Sequence, residues 1–381
     1  MEKVKRIFSM IQHPPLAPLA AITLFALWGC LLIYTAKALG NNPAYFAGRQ
    51  LIWLGIGIAV FSIAAMIPFY YYEKYAALIF CFAMSVLVGV LIFGKKINGM
   101  TGWFEVGKDI LFQPSEFAKG AMILFLSALT GSKSWDGKKG ISFLKVLLPA
   151  LICCGLVLLE PDLGSALVIS GAFLIVFFIA GGDLKYILLC ITGAAVAAVS
   201  FLFTHPYAMK RITDFFSNDS DAWHLRQFLY TLARGGWTGS SDGGALWANA
   251  YLPLPHTDSL YATIVEAAGF VGGFIVLGLF VLLGFLFCCM AQRDNISRAA
   301  AIYINAIGML YLMQALLHIS VNLVLLPTTG ITLPLLSYGG SSLISTMIAF
   351  GVAFSAVRNR IMAHQQTAAG DAAPEQSSGS R

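Results

Sequence analysis

Ten apolar runs, each close to the roughly 20 residues a helix needs to cross a hydrocarbon core, decide what this 381-residue chain can become. They lie near 16–36, 50–68, 75–93, 113–131, 143–159, 163–182, 184–204, 261–290, 299–320 and 336–356. With 58% of its residues hydrophobic and 11% charged, a water-soluble domain would have to expose large apolar patches. The spacing therefore predicts an all-α polytopic membrane protein with ten transmembrane helices over residues 16–358. A cytoplasmic N-terminus (1–15) precedes them. The tail over 359–381, which ends in the polar stretch HQQTAAGDAAPEQSSGSR, is expected to be disordered and cytoplasmic.

Orientation follows from Lys and Arg, which cytoplasmic loops retain. With the N-terminus inside, twelve fall in cytoplasmic segments against five in the short outer loops (Lys37, Arg49, Lys95, Lys96 and Lys108). The expected topology is N-in and C-in, with a large extracytoplasmic loop, about 205–260, between spans 7 and 8. MEKVKRIF resembles the charged start of a signal peptide, and Ala36 and Ala38 mimic a cleavage site. The run between them is long enough to span, so it reads as a retained first helix in a bacterial cytoplasmic (inner) membrane. The net charge of +6 is largely topogenic, and no basic arm or stacking motif points to nucleic acid. Seven cysteines, all in apolar runs, suggest neither a disulfide framework nor a metal site.

Polar residues in such a chain are costly, and few side chains are candidates for chemistry. Glu116 and Lys119 in QPSEFAKG share a helix face three residues apart and can pair. Charges at membrane depth face the bundle interior or a wet cavity, so this pair is either a structural bridge or part of a site. Asp162 in EPDLG suits a helix cap, with cation or pyrophosphate binding as the sharper alternative. Glu266 lies about one turn into the eighth span, facing the same cavity or the interface. His256, Thr257 and Asp258 follow the stiff run LPLP; Asp258 reads as a helix cap or as a catalytic carboxylate. LPLLSYGGSSL (333–343) opens the last span with small polar residues, suited to close packing or to lining a lipid-substrate groove. NLVLLPTTGITLP (322–334) is apolar but broken by Pro and Gly, a pattern for irregular backbone buried in protein. Nucleotide-binding and zinc-protease motifs are absent. Chemistry on the outer face, away from nucleotide, needs a substrate that carries its own activation, such as a lipid-pyrophosphate sugar.

Trp103 with GKDILFQPSEFAK, then EPDLGSALVI, YLPLPHTDSLYATIVEAAGFVG and LPTTGITLPLLSYGGSSL, together resemble the SEDS family (shape, elongation, division and sporulation). Its members include the RodA, FtsW and SpoVE proteins, and the last segment leans toward the FtsW type. The resemblance implies a peptidoglycan glycosyltransferase that polymerises lipid II by inverting transfer on the outer face of the membrane. It would work beside a class B penicillin-binding protein that crosslinks the strands. The family's essential aspartate matches Asp258, and its other motif residues match Glu116, Lys119 and Asp162. The expected roles follow. Asp258 is the general base, assisted by Glu116 and Lys119. His256, Thr257, Asp162, Lys210, Arg211, Arg234, Ser337, Gly339 and Ser341 bind substrate, and a divalent cation (Mg or Mn) or the basic groups steady the leaving pyrophosphate, with no nucleotide needed.

This chain departs from the family pattern at Leu254, Ser259, Ala267 and Ala268, which removes carboxylate and aromatic side chains from around the expected site. Two other classes also suit ten spans and a polar cavity: a flippase or transporter for the lipid-linked precursor, and a non-catalytic scaffold of the division machinery. A transporter of inverted-repeat design would show matching broken helices in both halves, and none is visible. A scaffold would tolerate replacement of Asp258, Glu116 and Lys119.

Overall fold

The computed structural model describes residues 43–97, 100–107, 110–204, 223–241, 244–293 and 296–371, with residues 22, 27–29, 209, 213 and 215, and beyond 357 the backbone alone. Most of the expected first span lies outside these residues, as do Lys210 and Arg211. Helices occupy the other nine predicted runs: α1 (Pro43–Met66), α3 (Ala76–Phe93), α4 (Pro114–Gly131), α5 (Gly140–Leu159), α6 (Leu163–Ile179), α7 (Leu184–Thr204), α10 (Leu260–Ala291), α11 (Arg298–Asn322) and α12 (Gly340–Asp371). Three shorter helices join them: α2 (Phe69–Lys74), α8 (Trp223–Gly235) and α9 (Leu246–Tyr251). Among the described residues, six helices are long and apolar enough to cross a membrane, namely α3, α5, α10, α11 and the stretches Ala44–Met66 and Gly340–Val357. The protein is a mostly helical, multi-pass membrane protein.

Two expectations need correction. The chain is not purely helical, because the outer segment 94–112 forms a small antiparallel sheet: β1 (Lys95–Ile97), β2 (Met100–Glu105) and β3 (Leu111–Phe112), in the order β1-β2-β3. These strands are too short to show a two-residue alternation of apolar side chains, so hydropathy reads them as loop. The last helix also runs to Asp371, into the stretch assigned to a disordered tail. IMAHQQTAA (361–369) is rich in Ala, Met and Gln, good helix formers with no proline among them.

The packing places α4 and α11 centrally. α4 contacts α3, α6, α11 and α12, while α11 contacts α4, α6, α10 and α12. Both bury most of their surface, whereas α7 lies against α6 with Leu188, Val196 and Phe203 exposed, as a lipid-facing helix does. The first described helix, α1, packs against the last, α12.

Two features shape the outer end. Residues 323–339, between α11 and α12, are irregular, with Ile331, Leu333, Leu335 and Leu336 in the core and Leu325 and Leu326 exposed; NLVLLPTTGITLP is thus irregular as expected but buried mainly toward its end. α10 breaks at Gly269, where φ is 69°. The break frees backbone groups that the outer segment takes up: Phe270 N donates to Gly236 O (2.9 Å), Val271 N to Trp237 O (3.2 Å), and Ser240 N to Glu266 O (2.8 Å). Any Cβ at 269 would collide with the Trp237 carbonyl, so glycine alone fits this close approach.

Candidate active site

α4 begins with Pro114 in its first turn, where a missing N–H costs nothing, and this sets Glu116 and Lys119 facing inward. Their pair is nearly sealed from solvent, with Lys119 Nζ 2.9 Å from Glu116 Oε1 and side chains 4% and 9% exposed. Lys119 also donates to Gln314 Oε1 of α11 at 3.3 Å. Beside them lies a small, partly solvent-open cleft lined by Gln113, Glu116, Lys119, Ser165, Gln314 and Gly330, among others.

Asp162 is a helix cap, as its position before LGSAL suggests. Its Oδ1 accepts from Ser165 N (2.9 Å) and its Oδ2 from Ser165 Oγ (2.6 Å), satisfying the free amides at the start of α6. Gln113 Nε2 lies 3.4 Å from Asp162 Oδ2, tying the cap to the cleft wall. Glu160, two residues earlier, is wholly buried with no hydrogen-bond partner for either oxygen among the described residues. Burial, and secondarily the neighbouring Asp162 charge, push its carboxyl up to about 8.

Asp258 does not cap α10; the N-cap is Ser259, whose side chain makes no capping bond. Asp258 instead sits half-buried in the turn before the helix, and a Cβ built on Gly330 would lie 4.0 Å from its Oδ2. Gly330 also lines the cleft of Glu116 and Lys119, so this one residue stands next to both the cleft and the Asp258 carboxyl. Glycine at 330 has a φ of 71°, which other residues adopt at a cost.

The turn carrying Asp258 is held from several sides. Asn322 Nδ2 donates to Asp258 O (2.9 Å), and Ala262 N donates to Asn322 Oδ1 (3.0 Å). Ser337 Oγ donates to Thr257 O (2.8 Å), and Tyr338 N to His256 O (2.9 Å). The buried His256 ring packs between Phe46 and Tyr338, with centroids 5.0 and 5.5 Å away. Leu254 and Leu335, flanking this contact, hold φ values of 47° and 64°, a strain of about 1–2 kcal/mol each that such sites often store.

The remaining expected substrate binders are engaged in building this frame. Ser337 accepts from Leu333 N (2.9 Å), Gly339 N donates to Gln50 Oε1 (3.3 Å), and Ser341 Oγ bridges Leu111 O (3.2 Å) and Gln113 N (3.1 Å). Arg234 faces Glu266, Nε to Oε1 at 3.4 Å, and lies over the Trp247 ring at 5.6 Å; neither partner lines the cleft. No group of three or more His, Cys, Asp or Glu side chains is placed to hold a metal among the described residues.

The sequence reading missed a polar stripe on α11. Gln314, His318 and Asn322 are spaced four apart, which stacks them on one helix face. Each fixes a different piece of the site: Gln314 Nε2 donates to Thr332 O (3.1 Å), His318 Nδ1 to Ile331 O (2.7 Å), and Asn322 to Asp258 O. At 1.5 Å per residue, the ends of the stripe lie about 12 Å apart. One end touches Lys119, the other Asp258. Three amide or imidazole side chains at helical spacing within an apolar run was the available signal.

A family model described as cell cycle protein, for FtsW, RodA and SpoVE, matches residues 15–361. The probable peptidoglycan glycosyltransferase FtsW of Coxiella burnetii is 32% identical over 348 residues, 88% of this chain and 93% of that relative. The probable peptidoglycan glycosyltransferase FtsW of Thiomicrospira cyclica is 32% identical over 321 residues, 82% of each chain. Among solved structures, a chain from a peptidoglycan synthase complex that coordinates polymerization and crosslinking superposes with a TM-score of 0.77 at 24% identity, covering 91% of this chain and 98% of that one. The rod shape determining protein RodA of Thermus thermophilus follows at 0.69 and 24%, over 90% and 96%. Both structural likenesses concern the fold.

Proposed function

The chain belongs to the FtsW, RodA and SpoVE family of cell cycle proteins, and on that footing we propose that it is a peptidoglycan glycosyltransferase. It polymerises lipid II at the outer face of the bacterial cytoplasmic membrane, with ten spans, both termini inside, and a class B penicillin-binding protein as partner. The reading draws support from relatives that carry this activity in their names and from one observation above all: Gly330, which lines the cleft of the Glu116–Lys119 pair, stands next to the Asp258 carboxyl.

In this proposal Asp258 takes the proton from the attacking sugar hydroxyl as that oxygen displaces the lipid pyrophosphate with inversion at the anomeric carbon. The proton ends on the Asp258 carboxyl and the bonding pair leaves with the pyrophosphate. Lys119, held by Glu116 and Gln314, meets the charge developing on that leaving group. A divalent cation, Mg or Mn, would supply further positive charge to the leaving pyrophosphate beside Lys119.

The test is polymerisation of purified lipid II by the detergent-solubilised protein, wild type beside Asp258→Asn, with and without divalent cation and penicillin-binding partner. Glycan strands from wild type alone are expected. Strands of normal yield from Asp258→Asn would remove Asp258 from its role.

A further inference from the structure

Glu266 takes no part in the cleft, yet it is fully buried and heavily engaged. Its Oε1 accepts from Trp247 N at 2.8 Å and its Oε2 from Ala248 N at 2.7 Å, so a carboxylate from α10 satisfies first-turn amides of α9, a helix without a side-chain cap of its own. Arg234 closes a third contact. Through its carbonyl, Glu266 also receives Ser240 N. Both halves of the outer segment are thereby fastened at one residue, beside the Gly269 break.

What α9 leads into gives this fastening its meaning. Leu252 N bonds back to Ala248 O (3.0 Å), and the six residues from there to Asp258 include Pro253 and Pro255, whose φ angles are fixed by their rings. The carbonyls of both prolines are anchored on the next turn, by Ser259 Oγ (2.7 Å) and Thr263 Oγ1 (3.0 Å). A link this stiff transmits the position of α9 to Asp258 instead of absorbing a shift in it.

We propose that Glu266 is a positioning residue for Asp258, acting through α9 and the Pro253–Pro255 link. The inference rests on the reading of Asp258 as the base. In Glu266→Gln one acceptor oxygen becomes an amide NH2 that faces a backbone N–H, so α9 loses one bond and gains a repulsion.

The experiment uses the full-length protein in liposomes with lipid II and the penicillin-binding partner. It measures kcat and KM for Glu266→Gln, Glu266→Asp and Asp258→Asn, with limited proteolysis of residues 223–251. A kcat order of wild type above Asp above Gln is expected, with Gln at least tenfold down, KM within twofold of wild type, and faster cleavage of the outer segment in Gln. A folded Glu266→Gln with wild-type kcat, or a loss carried by KM, overturns the inference while an inactive Asp258→Asn leaves the function standing; an active Asp258→Asn removes both. Should Glu266→Gln not accumulate, Glu266→Asp decides: faster outer-segment cleavage with wild-type kcat overturns the inference, and a threefold or greater fall in kcat at constant KM supports it.

Discussion

Replacing Glu160 with Gln tests how the turn between α5 and α6 carries a carboxyl that has no exposed surface and no hydrogen-bond partner among the described residues. Its pKa is raised from 4.5 to about 8, first by burial and then by Asp162. In the unfolded chain the proton leaves near pH 4.5; in the folded protein it stays until about pH 8. Folding therefore takes up a proton throughout that window, and stability falls as pH rises through it, levelling off above. At about 1.4 kcal/mol per pH unit the full penalty is on the order of 5 kcal/mol. About 2–3 kcal/mol of it accrues between pH 6 and pH 9. Glu160→Gln, of the same shape and never charged, escapes this slope. Thermal unfolding of the detergent-solubilised pair across pH 6 to 9 should show the variant gaining on wild type by about 5 °C, with most of the gain accruing between pH 6 and 8 and little above. Parallel curves at all pH values would mean that Glu160 is ionised and paired in the folded protein, and the reasoning would fall.

Lys119→Met should cost about 3–5 kcal/mol, because it leaves Glu116 buried and unpaired. Adding Glu116→Gln should restore most of that stability in melting experiments without restoring polymerisation, which separates the pair's structural role from its chemical one. Asp162→Ala should lose about 1 kcal/mol as the α6 cap disappears. It should also weaken polymerisation in the lipid II assay, since Gln113 loses its partner at the cleft wall.

Much of the architecture was legible because lipid imposes a length on every apolar run, and nine predicted runs coincide with helices. Composition said nothing of the sheet under Gly102 and Trp103, whose strands pair over too few residues to leave a pattern. Within the site, Glu116 and Lys119 announced themselves by helical spacing and Asp162 by its place before a helix. Asp258 was recognised by resemblance, since residue type alone favoured a cap that the structure gives to Ser259. Arg234 illustrates the limit: a loop cation in this sequence does not disclose that the fold will set Glu266 against it. Ser337 and Ser341 are similar, since small hydroxyls in a Gly-rich stretch do not disclose that backbone carbonyls and amides far away in the chain will claim them.

The contact between α1 and the segment just before α12 sets an order of assembly. Gln50 Nε2 holds Ser337 O at 3.1 Å and Gln50 Oε1 receives Gly339 N, while Ser337 Oγ in turn steadies Thr257, so the strap on the Asp258 turn closes across 287 residues of chain. Such long-range closure is made late in folding. A nascent chain that ends at α11 and still lacks residues 323–339 holds every acid and base named here, yet not Ser337, Tyr338 and Gly339, which tie the Asp258 turn to α1. A chain cut before residue 337 is therefore expected to polymerise no lipid II, and the base of the site is aimed only once the segment leading into the last helix has docked on α1.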